Sequence, residues 1–121
     1  MKKVQQQIHK YAKARGWDKL EPANIAKSIV IEGAELLELF QWDNSKREKV
    51  LKDKELVEKV KDELADVFIY CFDMAVTLSL DSEKIVLEKL KKVEKKYPVS
   101  LVKGSRKNYL ALKQAHRKKH A

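Results

Sequence analysis

Apolar residues recur along the chain at steps of three and four, the spacing of one helical face. Val4, Ile8, Tyr11 and Ala12 predict a first short helix that ends near Gly16. Pro22 favours a helix start, and Ile25, Ile29, Leu36, Leu39 and Phe40 carry a second stripe to about Trp42. Asp43-Asn44-Ser45 is turn chemistry, and the polar stretch over about 46–56 reads as loop or an early helical turn. The third helix has the longest unbroken pattern: Val57, Val60, Leu64, Val67, Cys71, Met74 and Leu78. Ile69, Phe72 and Val76 add apolar groups opposite, so from about Leu64 to Leu80 it is apolar all round. Such a helix belongs at the centre of a bundle or at a subunit interface. Asp81 or Ser82 can cap a fourth helix with Val86, Leu90, Val93 and Tyr97 as its inner stripe, ended by Pro98. One more basic helix fits the residues after Gly104.

Composition agrees with these elements. Three glycines and two prolines in 121 residues leave little room for hairpins, so the class is all-α. The length predicts one compact domain, with a partner subunit covering a second apolar face. The first residues lack the apolar core of a signal peptide, and no run reaches the roughly 20 apolar residues of a membrane span. The lone cysteine, Cys71, lies among apolar neighbours and reads as a reduced, buried thiol. A cytoplasmic protein is expected. Of the net charge of +9, seven units come from Lys103, Arg106, Lys107, Lys113, Arg117, Lys118 and Lys119, leaving +2 for residues 1–102. The basic character is therefore mostly a C-terminal tail, read as solvated.

Charge at one position breaks the apolar pattern. On a helix turning about 100° per residue, Ile29, Glu32, Leu36 and Leu39 all fall within about 40° of Ile25. Glu32 thus occupies a core slot, and Glu35 flanks it. An unpaired buried carboxylate is costly, so Glu32 requires a cation, a proton or a partner. The third helix repeats the arrangement, with Glu63, Asp66 and Tyr70 in a polar row beside its seam. Glu32/Glu35 and Glu63/Asp66 are both i,i+3 pairs, each presenting two acids on neighbouring turns. If the two helices pack antiparallel, four carboxylates converge. Hard oxygen ligands of this kind suit magnesium, with manganese as a substitute. Glu38, Glu55 and Glu58 read as ordinary solvated charges.

Other metal chemistries fit less well. Helical di-iron sites use Glu-x-x-His, but the histidines here are His9, His116 and His120, near the termini. There is no HExxH, no CxxC and no Walker loop. Cleaving a triphosphate without a Walker loop requires cations elsewhere, and Lys89, Lys92 and Lys96 form one basic row on the fourth helix. Trp17 and Trp42 are candidates for stacking on a base.

The strings SIVIEGAELLELFQW and DELADVFIYCFDMA, followed by KKYP, resemble the MazG-like all-α nucleotide pyrophosphohydrolases, with most similarity to their dCTP pyrophosphatase branch. The likeness covers nearly the whole chain: Arg15-Gly16-Trp17, Pro22 and Asn24, both acidic motifs, Lys96-Tyr97-Pro98 and a closing Gly-Ser-Arg-Lys. It implies a four-helix-bundle-like catalytic domain over 1–104 with a basic tail over 105–121, completed as a homodimer or homotetramer. It implies hydrolysis of nucleoside triphosphates between the α- and β-phosphates, giving a monophosphate and pyrophosphate, with dCTP-like or noncanonical pyrimidine substrates in nucleotide-pool housekeeping. Glu32, Glu35, Glu63 and Asp66 would be the magnesium ligands. Tyr70, Lys96 and Tyr97 would approach phosphates or sugar, and Trp17, Asn24 and Trp42 would lie near the nucleotide. Val93 stands where many relatives carry asparagine, so one polar nucleotide contact is expected to be missing. A helical nucleic-acid-binding module using the basic tail is the alternative; neither nucleic acid nor membrane is the expected partner.

Overall fold

The helices end where local chemistry ends them. In the computed structural model, which describes residues 2–104 and 106–119, α1 spans Lys2–Ala14 and α2 spans Pro22–Glu38. A short α3 (Arg47–Lys52) precedes the long α4 (Lys54–Thr77), followed by α5 (Ser82–Lys96), α6 (Val99–Val102) and α7 (Arg106–Lys119). Every regular element among the described residues is helical. Gly16 closes α1 in a left-handed conformation, φ 71°. The Trp17 N–H then reaches the Ala12 carbonyl at 2.8 Å and Gly16 N–H reaches Lys13 at 3.1 Å, a Schellman cap. The same pair of bonds closes α4, with Ser79 rather than glycine at φ 54°.

Two boundaries differ from the sequence expectation. Helix α2 stops at Glu38 instead of about Trp42, and the chain continues through tight i→i−3 bonds such as Phe40 N–H to the Leu37 carbonyl, 2.9 Å. The polar stretch before α4 holds a real helix, α3. Asp53 separates the two, accepting from the Leu56 N–H at 3.0 Å as the N-cap of α4.

The chain divides into two units, Met1–Ser82 and Glu83–Ala121. In the first, α4 is the centrepiece, packed against α2, α1 and α3. Its core is small: Ala12, Ile25, Phe72 and Ala75 are buried. Ile25, 1% exposed, anchors α2, and burying such a side chain contributes about 1.5–3 kcal/mol. Gln5 clasps α1 to the far end of the unit. Its Nε2 donates to the Leu80 carbonyl at 2.7 Å, while its Oε1 accepts from both the N–H and the hydroxyl of Ser82.

Large apolar groups remain exposed on this unit, including Val30 at 71%, Leu37 at 64% and Phe68 at 53%. Cys71, expected to be buried, is exposed. It lies on the side of α4 that carries Leu64 and Phe68, which are exposed as well.

In the second unit, α6 packs on α7. Tyr97 and Tyr109 stack with centroids 4.7 Å apart, and Asn108 Nδ2 donates to the Leu101 carbonyl at 2.8 Å. The expected inner stripe of α5 is only partly covered, with Val86 and Leu90 nearly half exposed. No helix among the described residues is long and apolar enough to cross a membrane. The residue opening the expected tail, Ser105, and its end, His120 and Ala121, lie outside the described residues.

Candidate metal centre

The acidic pairs meet because α2 and α4 pack along the faces that carry them. One oxygen from each of Glu32, Glu35, Glu63 and Asp66 lies within 4.8 Å of all the others. The four are unequal in their surroundings. Glu32 and Glu63 are half-buried, and each has one oxygen, Oε2, out of contact with solvent and without a hydrogen-bond partner. Glu35 and Asp66 are exposed and form the rim. Buried polar atoms are normally paired, so two orphaned carboxylate oxygens in one acidic cluster make it a candidate cation site.

Titration behaviour agrees. The Glu32 carboxyl is raised above its ordinary value of 4.5, first because it shares a proton-bonding contact with Glu35, then through burial and the charges of Glu35, Asp66 and Glu63. Glu63 is raised chiefly by burial, then by the charge of Glu35 and contact with it. Four acids without a base among them repel, and a divalent cation relieves that repulsion. The donor set is all oxygen, with no imidazole or thiolate, which fits magnesium or manganese and not zinc or an iron–sulfur centre.

A cleft of about 690 Å³ opens beside the carboxylates in the same unit. Asp66, Tyr70, Trp17 and Tyr11 line it, together with Asp73 and apolar groups of α1. Tyr11 and Trp17 pack edge to face at 6.1 Å, and the Arg15 guanidinium lies 3.9 Å over the Tyr11 ring. Two of the expected site residues, Trp17 and Tyr70, thus share a cleft with a metal-ligand candidate. Asn24 sits exposed in the first turn of α2, where its carbonyl accepts from the Ser28 hydroxyl at 3.1 Å. Trp42 is 89% exposed and outside that cleft.

The remaining expected residues belong to the second unit. Lys89 and Lys96 line a cleft of about 570 Å³ with Lys92, Lys95, His116 and Arg117. Tyr97 is half-buried against Tyr109, with the Lys96 ammonium 5.2 Å from its ring centre.

Sequence reasoning passed over Asp73. It stands seven residues after Asp66 and three after Tyr70, on the same face of α4, and burial raises its carboxyl above 3.8. The signal was available: an acid in the most apolar part of the chain, in helical register with the polar row.

Comparison with known proteins bears on these residues. The dCTP pyrophosphatase 1 of Rattus norvegicus is 33% identical over 105 residues, covering 84% of this chain and 61% of that protein. Its Homo sapiens counterpart is 31% identical over 105 residues, with the same coverage. The chain thus spans about three fifths of these curated relatives. Among solved structures, a pyrophosphatase from Archaeoglobus fulgidus DSM 4304 matches with a TM-score of 0.70 and 36% identity, covering 81% of this chain and 92% of that one. Residues 27–112, which include both acidic pairs, match the model of the MazG-like family. The chain belongs to the MazG-like family.

Proposed function

We propose that the protein is a magnesium-dependent nucleoside triphosphate pyrophosphohydrolase, cleaving (d)NTP to (d)NMP and pyrophosphate. The observation that carries this reading is the pair of orphaned, buried oxygens on Glu32 and Glu63 inside a four-carboxylate cluster. The names of the relatives, dCTP pyrophosphatase 1 and a pyrophosphatase, support this reaction, and dCTP-like or noncanonical pyrimidine triphosphates are the proposed substrates.

Glu32, Glu35, Glu63 and Asp66 would hold magnesium, which when bound supplies Lewis-acid neutralisation of the phosphate oxygens. Glu35, on the exposed rim, would be the carboxylate that takes a proton from an attacking water. Tyr70 and Trp17 hold the nucleoside in the adjoining cleft. Asn24 and Trp42, which do not line that cleft, would add nucleotide contacts from outside it. Lys89, Lys96 and Tyr97 are the second unit's candidates for neutralising phosphate charge, since negative charge develops on the leaving pyrophosphate.

The exposed Val30, Leu37, Phe68, Val86 and Leu90 support assembly as a homodimer or homotetramer. Manganese is the natural substitute metal, and nucleotide-pool housekeeping in the cytoplasm is the setting that fits this activity. The basic cleft of Lys89, Lys92, Lys95, Lys96, His116 and Arg117 is the feature a nucleic-acid-binding module would use. That alternative leaves the carboxylate cluster without a purpose.

The test is pyrophosphate release from a panel of nucleotides with magnesium, for wild type and Glu63→Gln. Magnesium-dependent release lost in the variant is the expected result. No release from any nucleotide, or undiminished release by Glu63→Gln, overturns the proposal.

A further inference from the structure

The cleft beside the carboxylates holds one acid that the metal does not need. Asp66, Tyr70 and Asp73 follow one another at steps of four and three, so they line one face of α4. Asp66 stands at the metal end. Asp73 lies two turns away, about 10 Å along the helix axis. That spacing matches the reach of a nucleoside from its α-phosphate to the far edge of its base, and overshoots the sugar hydroxyls. Trp17 and Tyr11 supply aromatic surface in the same cleft.

We propose that Asp73 is a specificity-determining residue that reads the exocyclic amino group of the base, so that the cleft selects amino-bearing pyrimidines over their oxo counterparts. This rests on the pyrophosphohydrolase reading only for the orientation of the nucleotide, phosphates toward Asp66. An ionised carboxylate only accepts hydrogen bonds. Cytosine offers it the N4 amino group as donor, whereas uracil and thymine present O4, an acceptor that a carboxylate repels. The site is half-buried, and burial already disfavours the Asp73 charge, so the carboxylate gains from a donor placed there. Asparagine in its place, with a donor and an acceptor, serves either base.

The experiment measures kcat/KM for dCTP and dUTP with magnesium, and calorimetric Kd for dCMP and dUMP, in wild type and Asp73→Asn. The wild type is expected to favour the cytosine member of each pair, and Asp73→Asn to shrink that preference at least about tenfold. Its melting temperature and response to magnesium should stay those of the wild type. A second probe requires no variant: the monophosphate of 2-pyrimidinone deoxynucleoside, which lacks the amino group, should bind wild type at least about tenfold more weakly than dCMP. Equal affinity for these ligands, or an unchanged preference in Asp73→Asn, overturns the proposal. Turnover with an unchanged ratio removes the role of Asp73 and leaves the enzyme. Asp73-dependent preference among the monophosphates without turnover of any triphosphate does the reverse.

Discussion

Helix α4 carries two sets of acids that meet opposite fates. In its first turns Glu55 pairs with Lys59 at 3.5 Å and Glu58 with Lys61 at 3.0 Å, all four side chains more than half exposed. Glu63, little more than one turn further on, has an oxygen sealed from water with no partner. Residue type is the same, and so is the helix. What differs is the neighbour: α2 brings Glu32 and Glu35 to Glu63, while water and lysines surround Glu55 and Glu58. An acid becomes a candidate metal ligand when packing removes its alternatives.

That contrast can be tested from its strongest consequence downward. Glu63→Gln should lower magnesium-dependent kcat about a hundredfold or more, since even groups that only support a ligand cost 10–100-fold. Glu58→Gln in the same assay should leave kcat unchanged. Next, Glu32→Gln should raise the melting temperature in chelator by several degrees, because it removes a like charge from the cluster. The same variant should lose most of the stabilisation that magnesium gives wild type, read by thermal shift.

The pH response should separate the two sets of acids as well. Glu32 and Glu63 have raised carboxyls in the folded chain, so the folded state binds their protons more tightly than the unfolded one. Their contribution is fully present below the ordinary value of 4.5 and is lost as pH rises through their raised values. Asp43 acts in the opposite sense. The Ser45 hydroxyl and then the Ser45 N–H lower its carboxyl, so its contribution is lost only as pH falls. The difference in metal-free melting temperature between wild type and Glu63→Gln isolates the cluster: wild type should fall behind as pH rises from about 4.5 toward neutrality. Smallest of all, Lys61→Ala should cost no more than about 0.5 kcal/mol in urea unfolding, the usual worth of an exposed helical ion pair.

The cluster was legible because Glu32 interrupts an apolar stripe, a conflict local to one helix. The second pair, Glu63 and Asp66, was legible from its matching spacing. Helix type was equally plain from period, and Gly16 and Pro98 marked two of the ends. Burial was harder to read. Cys71, Leu64 and Val86 have the pattern of core residues, yet they stay exposed among the described residues, since periodicity shows that a face is apolar and not what meets it. Asp73 shares the helical register of Asp66 and Tyr70, a signal local to one helix, but its place in a cleft depends on Trp17 and Tyr11 from another part of the chain. The hidden start of α4 at Lys54 turned on one side chain, Asp53, in a run crowded with charges.

The Gln5 clasp has a consequence for how the chain is made. Its bonds join residues 75 and 77 positions apart, so almost the entire first unit lies inside the loop they close. Contacts of such long range form late, after local helices have organised the chain between them. On the ribosome, α1 emerges before α4, the helix it packs on, and the clasp itself must wait for Leu80 and Ser82 to leave the exit tunnel. During that interval its apolar stripe is open to chaperones, and α1 is fixed in place only after the helices between it and the clasp have been made.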